Sequence, residues 1–199
     1  MDRIFAATAN PGKLAEMRRI LAGGPFEIVG MDGIEGWEPP EETGQSYREN
    51  ARLKALAGVR LVRQPCFADD SGLEVDALGG EPAIRSARFG GTADERNRKL
   101  LTMLAGVPHG LRSARFRAVV VLLVPDGRGL EEHCFEGVLE GSIADEPSGS
   151  SGFGYDPVFL VPGLGLTVAS LPPGLKDEVS HRGQALRAMA EFLRLRMGT

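Results

Sequence analysis

The chain reads as an α/β protein with a mixed central sheet, extended by a long hairpin so that two lobes flank a central cleft. Two observations carry that reading. Short apolar runs and helical patterns alternate over the N-terminal half, whereas strand-like runs dominate the middle. Two of the middle runs, Arg115 to Val124 and Leu130 to Glu136, face each other across Pro125-Asp126-Gly127 and form a long hairpin. A chain of 199 residues with neither an internal repeat nor a low-complexity linker fits a single domain, 1–199, with two lobes.

The elements follow in order. Ile4 to Ala7 is a short apolar strand ending at Thr8-Ala9-Asn10-Pro11-Gly12-Lys13. Leu14, Met17, Ile20 and Leu21 then recur at helical spacing, with Gly23-Gly24 as the stop. Phe26 to Met31 is a second strand, and Asp32 to Gln45 is a polar loop. Ser46 caps a helix running to about Val62, with Glu49 three residues on. Cys66 to Ala68 is a third strand that ends on Asp69-Asp70-Ser71-Gly72. Gly79 to Gly91 is a loop, and Thr92 with Glu95 opens a helix from Ala93 to Ala105. After the hairpin come a Gly- and Ser-rich stretch from Gly141 to Pro157, a strand from Val158 to Val161, and a closing amphipathic helix. That helix runs from Gly183 to Met197, with Leu186, Met189, Phe192, Leu193 and Met197 on one side.

Composition narrows the function classes. Hydrophobic and charged fractions of 42% and 25% are those of an ordinary globular protein. A formal charge of -4 argues against binding nucleic-acid backbones, yet leaves room for a small anion held by local Lys and Arg. Cys66 and Cys134 read as buried free thiols within strands. The N-terminus shows no signal-peptide pattern. The longest apolar run, Ala118 to Val124, is too short to cross a membrane, so a cytoplasmic protein is expected.

Five constellations carry possible chemistry. Asp69 and Asp70 repel each other and resist desolvation, so a positive partner belongs beside them; a hard cation such as Mg²⁺ fits, and a solvated turn is the alternative. Thr8 to Lys13, between a strand and a helix, offers backbone N–H groups and a Lys to an anion, although it lacks the P-loop spacing; a plain strand–helix turn is the alternative. Glu41-Glu42-Thr43-Gly44 is solvated or supplies a further metal ligand, and Lys54 shares a helix face with Asn50. Gly152-Phe153-Gly154-Tyr155-Asp156-Pro157 exposes an aromatic ring suited to stacking or is a turn whose Phe enters the core. Lys176 with Ser180-His181-Arg182 offers donors for carbonyl oxygens or is only a capped helix start.

Taken in order, these motifs, together with Glu49-Asn50-Ala51, Gly79-Gly80 and Ser86-Ala87-Arg88, resemble the inosine triphosphate pyrophosphatase family, also called Ham1-like, over nearly the whole chain. The resemblance implies Mg²⁺-dependent hydrolysis of ITP, dITP and XTP to the monophosphate and pyrophosphate by a homodimer. It implies that Thr8, Ala9, Asn10, Pro11, Gly12 and Lys13 hold the triphosphate with help from Lys54. Asp70 is then the catalytic residue and a metal ligand, with Glu41 (or its neighbour Glu42) the second ligand and Ser71 contacting substrate. Phe153, Gly154, Tyr155, Asp156, Lys176, His181 and Arg182 form the base pocket, His181 and Arg182 donating toward O6. A nucleotide sensor without turnover, and a pyrophosphatase for modified pyrimidine nucleotides, are the competing readings.

Overall fold

The computed structural model describes residues 2–197. Its sheet has six strands in the order β2-β1-β3-β4-β5-β6. They are β1 (Asp2–Ala6), β2 (Phe26–Gly30), β3 (Cys66–Val75), β4 (Ser113–Pro125), β5 (Leu130–Ile143) and β6 (Phe159–Leu160). β1 runs parallel to both β2 and β3, while β6 is antiparallel to β5, so the sheet is mixed as expected. The helices are α1 (Pro11–Ile20), α2 (Tyr47–Val62), α3 (Ala93–Met103), α4 (Pro173–Val179) and α5 (His181–Met197). Among the described residues no helix is long and apolar enough to cross a membrane.

Local rules explain most boundaries. Asn10 caps α1 by accepting from the Lys13 N–H at 3.1 Å, with Pro11 pre-set for the first turn. Ser46 caps α2, and Thr92 and Glu95 close a reciprocal capping box on α3. Three expectations need correction. β3 does not stop at Ala68: it continues through the paired aspartates to Val75, buried on both faces for most of its length, which removes the alternation that marks a strand in sequence. The hairpin strands are longer than the apolar runs: β5 continues past Glu136 to Ile143, with Leu139 and Ile143 buried and Glu140 exposed between them. α4 was not anticipated, and Ser180 caps its C-terminus directly before α5 begins at His181.

The chain divides into two compact units. The first comprises residues up to Asp70, Ala118–Gly137 and the chain from Arg182; the second comprises Ser71–Arg117 and Val138–His181. In the first, Leu14 and Met17 of α1, Leu21 just after it, and Leu186, Met189 and Leu193 of α5 pack with Ile4, Phe67, Val120 and Leu122 of the sheet. In the second, Leu100 of α3 and Leu104 just after it join Leu73, Phe116, Ile143 and Phe159. Both cysteines are free thiols; Cys66 is buried, but Cys134 is only half-buried because it lies on the more open β5.

Candidate active site

In the first unit β3 carries two carboxylates in adjacent positions, and successive strand residues point to opposite faces. The two therefore collect different partners. Asp69 Oδ2 is 3.0 Å from Lys13 Nζ and accepts from Arg182 Nε at 3.0 Å. Arg182 also donates from Nη1 to Glu16 on α1 at 2.6 Å. Burial raises the Asp69 pKa, but the cations of Lys13, Arg182 and Lys54 outweigh it and hold the carboxyl well below the usual range.

Asp70 faces α2. Asn50 Nδ2 donates to its Oδ2 and Lys54 Nζ to its Oδ1, each at 3.2 Å. Asn50 and Lys54 are one helical turn apart, as their spacing required. The same Asn50 accepts the Gly44 N–H on Oδ1 at 2.8 Å, which ties the Glu-Glu-Thr-Gly loop to the carboxylate. A Cβ at Gly44 would lie 2.7 Å from that oxygen, so glycine is needed there. Burial lifts the Asp70 pKa, with Lys54 and Lys13 opposing and Glu42 and Asp69 reinforcing. Lys54 is raised too: burial pulls it down, but Asp70, Asp69 and Glu42 prevail.

Glu42, not Glu41, enters this cluster, donated to by Lys54 at 2.7 Å, while Glu41 is exposed. The donor set is carboxylate oxygen, the chemistry a hard divalent cation prefers. Asp69, Asp70, Glu42 and Glu16 there interleave with Lys13, Lys54 and Arg182. Among the described residues no three acidic, His or Cys side chains are already gathered at metal-binding range, so the carboxylates fit such an ion in type without forming a closed cage.

The Thr8-to-Lys13 segment is ordered by its own side chains: Thr8 Oγ1 accepts from Asn10 N–H at 3.1 Å, and Asn10 caps the helix. Lys13 thereby stands one turn before the buried Glu16, with its ammonium on Asp69. Beside Thr8, Asn10 and Pro11 lies a groove of about 250 Å³ whose other wall includes Trp37 and Pro39. Its lining is mainly apolar, which suits a ring or an aliphatic group better than a phosphate.

The second unit holds a different cluster. Lys176 Nζ donates to Asp156 Oδ2 at 2.7 Å, both residues being buried, and lies 4.9 Å from the Phe153 ring centroid. Asp156 Oδ2 also accepts the Phe153 N–H at 2.8 Å. Gly152 has a φ of +81, in the left-handed region, and a Cβ there would run into Asp156 Oδ2 and Lys176 Nζ. His181 stacks on Phe116 at 4.8 Å and 15°, and Phe116 on Phe159 at 4.4 Å.

Matches to known proteins run the length of the chain. The profile of the Ham1 family matches residues 4–192. The chain belongs to the Ham1 family. It is 48% identical over 199 residues to a protein of Methylococcus capsulatus named dITP/XTP pyrophosphatase, covering 98% of each chain. A Geobacter sulfurreducens protein of the same name is 43% identical, with 97% of each covered. The solved structure of a HAM1 protein from Coxiella burnetii superposes with a TM-score of 0.86 at 38% identity, covering 97% of this chain and 98% of that one.

For this Ham1-family chain, the structure brings Lys13, Lys54 and Asp70 into one charged cluster and Phe153, Asp156 and Lys176 into another. It separates two residues that the motif places side by side. His181 stacks in the second unit, whereas Arg182 directs two donors at carboxylates of the first. Two Arg182 nitrogens are thus engaged by Asp69 and Glu16. Tyr155 is likewise buried, at 4% exposure, with its hydroxyl donated to the Ser86 carbonyl. Sequence reasoning missed Glu16 as a member of the charged cluster; its signal was a carboxylate next to Met17 on the apolar stripe of α1.

Proposed function

We propose that this protein is a divalent-metal-dependent nucleoside-triphosphate pyrophosphatase that converts ITP, dITP and XTP to the monophosphate and pyrophosphate, removing deaminated purines from the nucleotide pool. The observation that carries the reading is the pair of carboxylates on β3, one tied to Lys13 and Arg182 and the other to Asn50 and Lys54. Family membership over residues 4–192 supports the same chemistry.

The residues then divide the work. Lys13 and the N-terminus of α1, across Thr8 to Lys13, meet the phosphate oxygens; Lys54 adds a second positive charge. Asp70 with Glu42 or Glu41 would hold a divalent cation such as Mg²⁺, whose chemistry there would be neutralisation of phosphate charge. Asp70 accepts a hydrogen bond from the attacking water and so aims its oxygen at the α-phosphorus. As that P–O bond forms, the water gives up a proton to the Asp70 carboxylate, which passes it to solvent, the bond to the bridging oxygen breaks and pyrophosphate departs. One aimed contact of this kind contributes about 3 kcal/mol, or ~10²-fold in rate. Ser71 follows Asp70 directly and contacts the substrate. Phe153 stacks on the base, with Gly154 and Asp156 shaping the loop and Lys176 and His181 donating toward its carbonyl oxygens. Arg182 reaches the site through Asp69, holding the carboxylate that positions Lys13.

We propose a homodimer as well, which sedimentation at micromolar concentration tests directly. The decisive assay incubates the protein with Mg²⁺ and, in turn, ITP, XTP, dITP, GTP, ATP and dUTP, measuring pyrophosphate and orthophosphate separately. Pyrophosphate from the first three is the expected result. Orthophosphate as primary product, or binding without turnover, overturns it.

A further inference from the structure

Two segments that the sequence marks without a role hold the loop that carries Phe153. Asn97, in the second turn of α3, is 4% exposed and donates from Nδ2 to the Gly154 carbonyl at 3.1 Å. Its Oδ1 is buried with no hydrogen-bond partner among the described residues, so the recorded polar contact of this amide is the one to the loop. Gly154 has a φ of +67, a left-handed conformation that a carbonyl anchor helps to maintain. The next residue is anchored as well. Tyr155 donates its hydroxyl to the Ser86 carbonyl at 2.9 Å. Ser86 Oγ in turn donates to the Ala83 carbonyl at 2.6 Å and accepts the Leu73 N–H of β3 at 2.9 Å.

Helix α3 holds that second anchor too. Arg96 Nη1 donates to the carbonyls of Ala87 and Gly90, at 3.3 and 3.2 Å, and Lys99 Nζ to that of Phe89 at 3.1 Å. The capping box at Thr92 and Glu95 fixes where α3 begins and hence which way residue 97 points.

We infer that Asn97, backed by the Tyr155–Ser86 contact, is a positioning residue for base recognition: it locks Gly154 and Tyr155 so that Phe153 and Asp156, on either side of them, present a preformed surface to the purine. Asn97 itself touches no substrate in this scheme. The inference rests on the reading of 153–156 as the base-binding loop. A preformed loop needs no ordering when the base arrives, so loosening it weakens binding of the matching base more than it slows the chemistry.

The test uses the full chain with Mg²⁺. Asn97→Asp is nearly isosteric but sets an acceptor against the Gly154 carbonyl. The KM for ITP should rise ~10-fold with kcat within about 3-fold, and the preference for ITP over GTP should fall with it. Tyr155→Phe should move both readouts the same way by a smaller factor, and it decides the matter if Asn97→Asp does not fold. Unchanged KM and preference in folded variants overturn the inference. So does a fall in melting temperature and in kcat that is equal for both nucleotides, the mark of a purely structural role. If the wild type turns over no ITP, the functional reading has failed, and calorimetric ITP affinities of wild type and Asn97→Asp judge the loop by itself. Equal affinities, or none in either, overturn it.

Discussion

The two clusters meet different demands with different materials. The first unit crowds the cations of Lys13, Lys54 and Arg182 against carboxylates on β3, α1 and the Glu42 loop. The second relies on one buried ion pair, Lys176–Asp156, set among stacked rings and a glycine-rich loop. Charge binds any phosphate chain without regard to the base attached to it. Shape and directed donors can discriminate a base but do little for a phosphorus centre. Rate and selectivity should therefore be separable by mutation.

Asp70→Asn is the strongest test of that separation. Asn keeps the shape and one oxygen, and Lys54 retains Glu42 as a partner. We expect kcat to fall at least ~10²-fold with ITP and with XTP alike, with little change in melting temperature. A variant that stays near the wild-type rate would remove Asp70 from the chemistry.

Asp69→Asn should act mainly on the fold of the same cluster. It leaves Lys13 and Arg182 facing a neutral amide in a buried place, and breaking a buried pair in this way costs about 3–5 kcal/mol. Chemical denaturation measures the loss. A small stability change with a large KM increase would instead make Asp69 a direct participant in substrate binding.

Phe153→Ala probes the other side. Stacking on an aromatic ring contributes about 1–3 kcal/mol per base, so the KM for ITP should rise ~10-fold with kcat nearly constant. If kcat falls as steeply as it does for Asp70→Asn, rate and recognition do not divide between the two clusters.

How much of this was legible depended on how local the cause was. Helix caps at Ser46 and Thr92, and the shared face of Asn50 and Lys54, follow from spacing alone, and the structure has them; the cap at Asn10 emerged only from the structure. The continuation of β3 through Asp69 and Asp70 was hidden because burial on both faces erases the period-two pattern. The parting of His181 from Arg182 was hidden for a topological reason: the division between units falls between these neighbours, and a linear motif carries no trace of it. That Glu42 and not Glu41 meets Lys54 is a contact between a loop and a helix that neither segment announces. Asn97 looked like any polar residue on a helix until its partner at Gly154 was placed.

The smallest effect concerns the dryness on which the charged cluster depends. Cys66 lies three residues before Asp69 on β3, and burial pushes its thiol up to about 12, a backbone hydrogen bond from Ala7 opposing only slightly. Its ordinary value is 9.0, so the folded state holds the proton more tightly than the unfolded one. The contribution to stability is intact below about pH 9 and is lost as pH rises toward 12, because the unfolded thiol ionises first. Over that window the wild type should lose stability relative to Cys66→Ala, which has no thiol to ionise. At neutral pH a thiol reagent should label the half-buried Cys134 in the native protein and reach Cys66 only on unfolding. Native labelling of Cys66 at a rate like that of Cys134 would mean that water reaches β3 freely. The ion pairs on Asp69 and Asp70 would then be screened, and the contrast between a charged, dry cluster and a shaped, aromatic one would weaken at its base.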